Sequence, residues 1–316
     1  MNKKIIIHIL VITTAFILFI IWHEVRFNRT VPASTASENY RIYLITMDKS
    51  SQYWDILNKG VTDMANLLGI TYIWDAPQDR DVNEQISIIK NAVRNGANAL
   101  MIAASDPVRV SSTIEDAKAL GVKIIYVDAP AVEEGVVTLA TDNYSAGITA
   151  GENMLLELES NGIKSGSIGI IGVTPENSTT VNRESGFRNV IETDGRFKLL
   201  NTQYAGGDIF LAQSMAQAFI NYNPELVGLF GTNEQTTTGI GYALESGNKE
   251  IVGIGFDLTD TIQGFIDKGY FKAVMVQSPY TMGYLGLAET IAALRGYDTG
   301  SPFINTGITV RTKYSH

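Results

Sequence analysis

Residues 123–130 read KIIYVDAP, a largely β-branched apolar run that stops on the carboxylate of Asp128. The pattern recurs at 44–50 (LITMDKS), 226–233 (LVGLFGTN), 250–257 (EIVGIGFD) and 273–279 (AVMVQSP), with stops at Asp48, Asn233, Asp257 and Gln277. Strands that are apolar throughout, instead of alternating, belong to parallel sheets covered by helices on both faces. In open α/β sheets ligands bind at the carboxyl ends of strands. Five planar hydrogen-bonding groups at such ends therefore describe a binding cleft. Asp128 or Asp257 alone is better read as a helix cap or turn former. Gln277 is not, because Gln is a poor cap and Pro279 restricts the backbone after it.

Helical periodicity separates the runs. In the first half it predicts helices over 53–68, 82–95 and 107–120. Trp54, Leu57, Val61 and Leu68 share a face of the first, and Pro107 occupies the opening turn of the third, where proline is tolerated. Gly69, Gly96 and Gly121 sit just past the helix ends, where a left-handed residue closes a helix. The second half repeats the beat with helices over 145–158, 178–192, 209–222, 235–246 and 259–268, and with KLLNTQYA (198–205) as a strand. A helix over 282–294 and the strand-like NTGITVRT (305–312) are compatible with either half. The expected fold is α/β, with two doubly wound parallel-sheet lobes. A length of 316 residues agrees, since a single core rarely grows beyond about 250–300.

Composition narrows the chemistry. A formal charge of −9 without clustered Lys and Arg argues against nucleic acid as a partner. With no cysteine there is no disulfide, thiolate nucleophile, Cys-based metal site or lipid-carrying cysteine. The histidines are His8, His23 and His316, so a triad or a His-ligated metal has no candidate in the body of the fold. GLFGTN and GIGFD lack the spacing of a dinucleotide fingerprint, and no phosphate-binding loop occurs. No cofactor is implied.

At the N-terminus Lys3 and Lys4 precede an apolar stretch from Ile5 to Trp22, close to the roughly 20 residues that span a bilayer. It is longer than a usual signal-peptide core, and small residues suited to cleavage come only near Ala36. Residues 1–28 are therefore read as a signal anchor or transmembrane helix, and 29–40 as a tether.

Several side chains stand out beside the strand ends. Ser51, Tyr53 and Trp54 lie at the turn into the first helix. Because Tyr53 and Trp54 are adjacent, one helix stripe cannot bury both, and one is expected to face the cleft. An aromatic face suits the C–H face of a sugar, whose hydroxyls want planar partners such as Asp, Asn, Arg and Gln. Arg183, early in a helix, opposes the helix dipole and needs a partner. Asp142 and Asn143, where the halves meet, read as a crossover and helix start.

The ordered set SQYWDILNKG, YVDAP, ATDN, NRESGF, FGTNE, IGFD and MVQSPYTMG resembles the type I periplasmic binding proteins, above all the ribose, xylose and galactose group. The resemblance runs from Arg41 to about Thr312. It implies two lobes, 41–142 with 278–305 and 143–277 with 306–316, joined by crossings near Asp142, Gln277 and Asn305. It also implies a sugar site built from Ser51, Tyr53, Trp54, Asp128, Arg183, Asn233, Asp257 and Gln277. Two positions depart from the ribose pattern. Ala129 stands where that pattern has Arg, and Gly207 stands where it has an aromatic residue, leaving Phe210 or Tyr204 as the substitute. Asp48 has no counterpart in the family's ligand set.

The functional expectation is a membrane-anchored extracytoplasmic monosaccharide-binding protein, with a pentose such as xylose or ribose favoured. Its partner is an ABC permease or a membrane sensor histidine kinase, since the protein anchor resembles that of kinase-paired receptors. A sugar-responsive transcription repressor shares the fold, but a basic helix-turn-helix would have to stand where the apolar stretch does. A glycoside-acting enzyme would use Asp128 and Asp257 at a separation that sequence does not supply.

Overall fold

The computed structural model describes residues 40–298 and 300–315. The N-terminal span and the tether up to residue 39 lie outside the described residues, and among those described no helix is long and apolar enough to cross a membrane.

In the first lobe β1 (Ile42–Ile45), α1 (Gln52–Leu68), β2 (Ile73–Asp75), α2 (Val82–Arg94), β3 (Ala99–Ile102), α3 (Ser111–Ala119), β4 (Lys123–Val127) and β5 (Val137–Ala140) follow one another. With β12 (Phe303–Asn305) the strands form one parallel sheet, ordered β12-β5-β4-β3-β1-β2. The second lobe contains α4 (Asn143–Ser160), β6 (Gly166–Gly172), α5 (Ser178–Asp194), β7 (Phe197–Leu199), β8 (Gln203–Tyr204), α6 (Ile209–Tyr222), β9 (Leu226–Gly231), α7 (Glu234–Ser246), β10 (Val252–Phe256), α8 (Asp260–Asp267) and β11 (Phe271–Gln277). Its sheet runs β13-β11-β10-β9-β6-β7, with β8 beside β6, and β13 (Ile308–Arg311) pairs antiparallel to β11. The chain passes between sheets after β5, after β11 into α9 (Pro279–Leu294), and between β12 and β13. The C-terminal stretch thus serves both lobes: α9 packs on α1 and β4, β12 joins the first sheet, and β13 joins the second.

Each sheet is buried on both faces, as the unbroken apolar runs require. Along β4, Ile125 and Val127 enter the core under α1 and α9, while Ile124 and Tyr126 enter the core under α2 and α3. Register then aligns the strand ends. Ile45 pairs with Ile102, and Ile102 with Tyr126, so the chain beyond β1 and beyond β4 leaves one edge. In the second sheet Phe230 pairs with Ile254 and Phe256 with Met275, bringing Asn233, Asp257 and Gln277 to one edge likewise.

Three local expectations need correction. The third helix starts at Ser111, because the Asp106 carboxylate accepts from the N–H groups of Val108 and Arg109 and holds Pro107 in a separate turn. KLLNTQYA is broken into β7 and β8, which pair at different levels of β6. On α1, Leu68 is exposed in the last turn, and Met64 continues the stripe of Trp54, Leu57 and Val61. Gly69 does close α1 in the left-handed region, at φ 67°.

Two helix pairs approach closely through glycine. A Cβ on Gly60 of α1 would lie 2.1 Å from the Tyr280 carbonyl of α9, and one on Gly283 would lie 2.1 Å from the Leu57 carbonyl. In the second lobe Gly147 of α4 and Gly186 of α5 meet the carbonyls of Arg183 and Tyr144 at the same 2.1 Å. Backbones this close leave no room for a methyl group, and both contacts lie in helices that carry cleft side chains.

Candidate functional site

The two carboxyl edges face one cleft, lined by side chains from both lobes. All eight predicted residues, Ser51, Tyr53, Trp54, Asp128, Arg183, Asn233, Asp257 and Gln277, line it.

Asp128 and Asp257 occupy corresponding places, one just beyond β4 and one just beyond β10. Both adopt left-handed backbone, φ 70° and 67°, which is uncommon for a residue other than glycine and is tolerated best by Asp and Asn. Neither caps a following helix: the N-cap of α8 is Thr259. Asp128 Oδ1 accepts a 2.7 Å hydrogen bond from the Tyr53 hydroxyl. Asp257 accepts from Gln277 Nε2 at 2.8 Å and from the Glu234 backbone N–H at 3.0 Å. Burial pushes both carboxyls above the usual range, and the Arg183 guanidinium opposes that push on each. Burial, reinforced by Asp128, likewise raises the Tyr53 phenol.

Arg183 is the cation whose charge acts on both carboxylates, with no ion pair to either. It is 2 % exposed, with Cζ over the Phe256 ring, 4.3 Å from its centroid. Its Nε donates to Asn143 Oδ1 at 2.8 Å and its Nη1 to the Thr232 carbonyl at 2.9 Å. The partner that its position early in α5 demanded is thus a set of dipoles and two acids. Asn143, read as a simple helix start, also orients this guanidinium.

Tyr53 and Trp54 are both buried and both line the cleft, ring against ring edge-on at 4.9 Å. The stripe argument fails because these are the opening residues of α1, and the cleft wraps the helix end as well as its side. Asp48 organises this corner. Its Oδ1 accepts from the N–H groups of Ser50 and Ser51, and its Oδ2 accepts from Trp54 Nε1 at 3.3 Å. Asn233 is principally a helix cap, its Oδ1 taking the N–H and hydroxyl of Thr236 in a capping box at the head of α7. Gln277 Oε1 is buried with no hydrogen-bond partner among the described residues, an acceptor that calls for a hydroxyl or amine donor.

Seven lining residues were not nominated by the sequence, and three of them, Arg80, Glu234 and Asn177, make polar contacts that shape the cleft. Arg80, in the loop before α2, sits 3.6 Å from Asp48 and has no strand-end position to mark it. Burial lowers its basicity while Asp48 opposes the shift. Glu234 reads as an acid complementing the dipole of its own helix, yet Ser51 Oγ and the Tyr53 N–H, from the other lobe, donate to its Oε2 at 3.0 and 3.1 Å. Asn177 caps α5 through the Thr180 N–H while lining the cleft. Neither substitute suggested for the aromatic at Gly207 reaches the cleft. Asp208 caps α6 and turns Phe210 outward, 78 % exposed, and Tyr204 lies against Gly172. Among the described residues no cluster of His, Asp and Glu could hold a metal ion.

Comparison with known proteins supplies the family. A model described as a periplasmic binding protein domain matches residues 42–298. The chain is 26 % identical over 260 residues to the ribose import binding protein RbsB of Bacillus subtilis (strain 168), covering 82 % of this chain and 83 % of that one. It is 24 % identical over 293 residues to the xylose/arabinose-binding protein XylF of Sulfolobus acidocaldarius, covering 84 % and 71 %. Among solved structures, a carbohydrate transporter solute binding protein from Agrobacterium radiobacter, in complex with D-arabinose, superposes with a TM-score of 0.84 at 30 % identity over 87 % of this chain and 95 % of that one. With this match across nearly all of both lobes, the chain belongs to the periplasmic binding protein domain family.

Proposed function

We propose that this protein is an extracytoplasmic monosaccharide receptor, with a pentose such as ribose, xylose or arabinose favoured, that closes its two lobes on the sugar about the three chain crossings. The observation that carries the reading is the pairing of Asp128 and Asp257, one from each lobe, around the shared Arg183, with the free Gln277 acceptor beside them. Such a set offers acceptors and donors in fixed planes to several hydroxyls at once, beside the rings of Tyr53 and Trp54. Relatives named for ribose and for xylose or arabinose, and a neighbour holding D-arabinose, support the pentose. Delivery to an ABC permease follows the import named for the Bacillus relative. Anchoring by residues 1–28, and with it signalling to a sensor histidine kinase, rests on the sequence pattern Lys3 to Trp22 alone.

A thermal-shift panel of D-ribose, D-xylose, D-arabinose, D-glucose and D-galactose tests the reading. A sugar held at 100 times its Kd stabilises by about 2.7 kcal/mol, a rise of several degrees in Tm. A flat panel sinks the monosaccharide reading.

Arg80 is assigned here as the first lobe's guanidinium, in place of the one that Ala129 lacks. Arg80→Ala is expected to weaken pentose binding by about 10- to 100-fold, the loss of one or two hydrogen bonds from a charged donor. Tm should fall by a few degrees, because the buried Asp48 loses the cation 3.6 Å away and keeps only the Ser50, Ser51 and Trp54 donors. Unchanged titration calorimetry would return Arg80 to a purely structural role.

A further inference from the structure

We propose that Glu234 is a latch between the lobes, a positioning residue whose carboxyl group reaches from α7 across the cleft to the N-terminus of α1. The latch rests on the proposed closure about a ligand, but its geometry is independent of which ligand is bound. Ser51 and Tyr53 belong to the first lobe and Glu234 to the second, so their 3.0 and 3.1 Å bonds form on closing and break on opening. A carboxylate at this place also meets the positive end of the 17-residue α1. Ser51 Oγ caps the Tyr53 N–H at 3.2 Å from within the first lobe, so the N-cap of α1 does not depend on Glu234, which adds a second acceptor for that N–H. The side chain therefore serves the closed arrangement of lobes and is not needed to fold α1.

Closure at this latch is linked to protons. Burial, and then the nearby Asp257, push the Glu234 carboxyl from its ordinary 4.5 up to about 7, while Ser51 and the N–H groups of Gln52 and Tyr53 pull the other way. The other charged or titratable groups around the cleft are Asp128, Arg80 and Tyr53 from the first lobe and Arg183 and Asp257 from the second, with Asp48 behind Arg80. An open cleft returns Glu234 to solvent and toward its ordinary value. A carboxyl held higher in the closed form favours closure most at pH below the open value. That preference is lost as pH rises through about 7 and is constant above it.

The test uses the full chain with a donor–acceptor dye pair on Lys90→Cys and Asn189→Cys, both exposed sites in a protein with no cysteine of its own. Lobe separation without sugar, and affinity for D-ribose, D-xylose and D-arabinose, are measured from pH 5 to 8. In the native sequence closure and affinity should fall by about tenfold or more between pH 5 and 7.5. Glu234→Gln keeps an acceptor without the charge, so it should flatten that dependence and close at least as well as the native chain at pH 7.5. Glu234→Ala should close several-fold less well than the native chain at pH 5, where the native carboxyl in the closed form is neutral and hydrogen-bonded, and should lack the native pH dependence. A Glu234→Gln chain with the native pH slope, or a Glu234→Ala chain that closes normally at pH 5, overturns the latch. If no pentose binds, the sugar reading fails, and the dye distances still decide the latch.

Discussion

Arg183→Ala abolishes measurable sugar binding and lowers Tm by roughly 10 °C; this is the largest effect expected of any single cleft substitution. Asp128 and Asp257 are both buried, and Arg183 is the cation that most strongly opposes the effect of that burial on each. Without Arg183 the buried acids lose a cation that acts on them through space, and the Asn143 and Thr232 acceptors lose their donor, at about 3 kcal/mol, the lower end for a broken buried pair. At about 2–4 °C per kcal/mol for domains of 150–250 residues, that is a fall of the stated size. The loss should be milder at low pH, where Asp128 and Asp257, already raised, take up protons and no longer need a cation. Arg183→Lys retains charge but not the planar fork that reaches Asn143 and Thr232 together, so it should recover stability more than affinity. Scanning calorimetry with titration calorimetry separates these outcomes. Native-like affinity in Arg183→Ala would refute the shared-cation account.

Gly147→Ala is expected to destabilise the second lobe, against the usual trend for helices. In an open helix the change gains about 0.5–1 kcal/mol. Here the new Cβ would lie 2.1 Å from the Arg183 carbonyl, and only separation of α4 from α5 relieves the clash. Overpacking of this kind costs about 1–3 kcal/mol, which outweighs the propensity gain. It also displaces Arg183 itself, so affinity and Tm should fall together. Gly264→Ala in α8, where a Cβ meets nothing within 4 Å, is the control and should hold or raise Tm. Equal behaviour of the two variants in thermal melts would show that the α4–α5 approach tolerates the methyl group.

Much of the fold was readable because its signals are local. Apolar runs gave parallel strands, glycines such as Gly69 marked helix ends, and helix faces followed their period. The readings that failed did so where the local signal is ambiguous or the deciding group is distant. Pro107 was placed in a helix because the carboxylate that excludes it, Asp106, is also a common turn residue with no distinctive spacing. NTGITVRT could not be assigned to one lobe because Phe303–Asn305 and Ile308–Arg311 pair with different sheets, and strand pairing is non-local.

The site divides along the same line. Order along the chain was enough to nominate Asp128, Asn233, Asp257 and Gln277, because each ends an apolar run, and to add Tyr53, Trp54 and Arg183 through a resemblance carried by contiguous motifs. Their convergence was beyond it. Only register within each sheet, and the facing of two sheets, bring an acid from each lobe to one guanidinium, reduce Asn233 largely to a cap, and recruit Arg80 and Glu234 from places with no strand-end mark. Sequence patterns report a residue's neighbours within a turn or a strand. Charge sharing, burial and contact across a cleft depend on residues up to about 180 positions apart, such as Ser51 and Glu234, whose proximity exists only once the chain has folded.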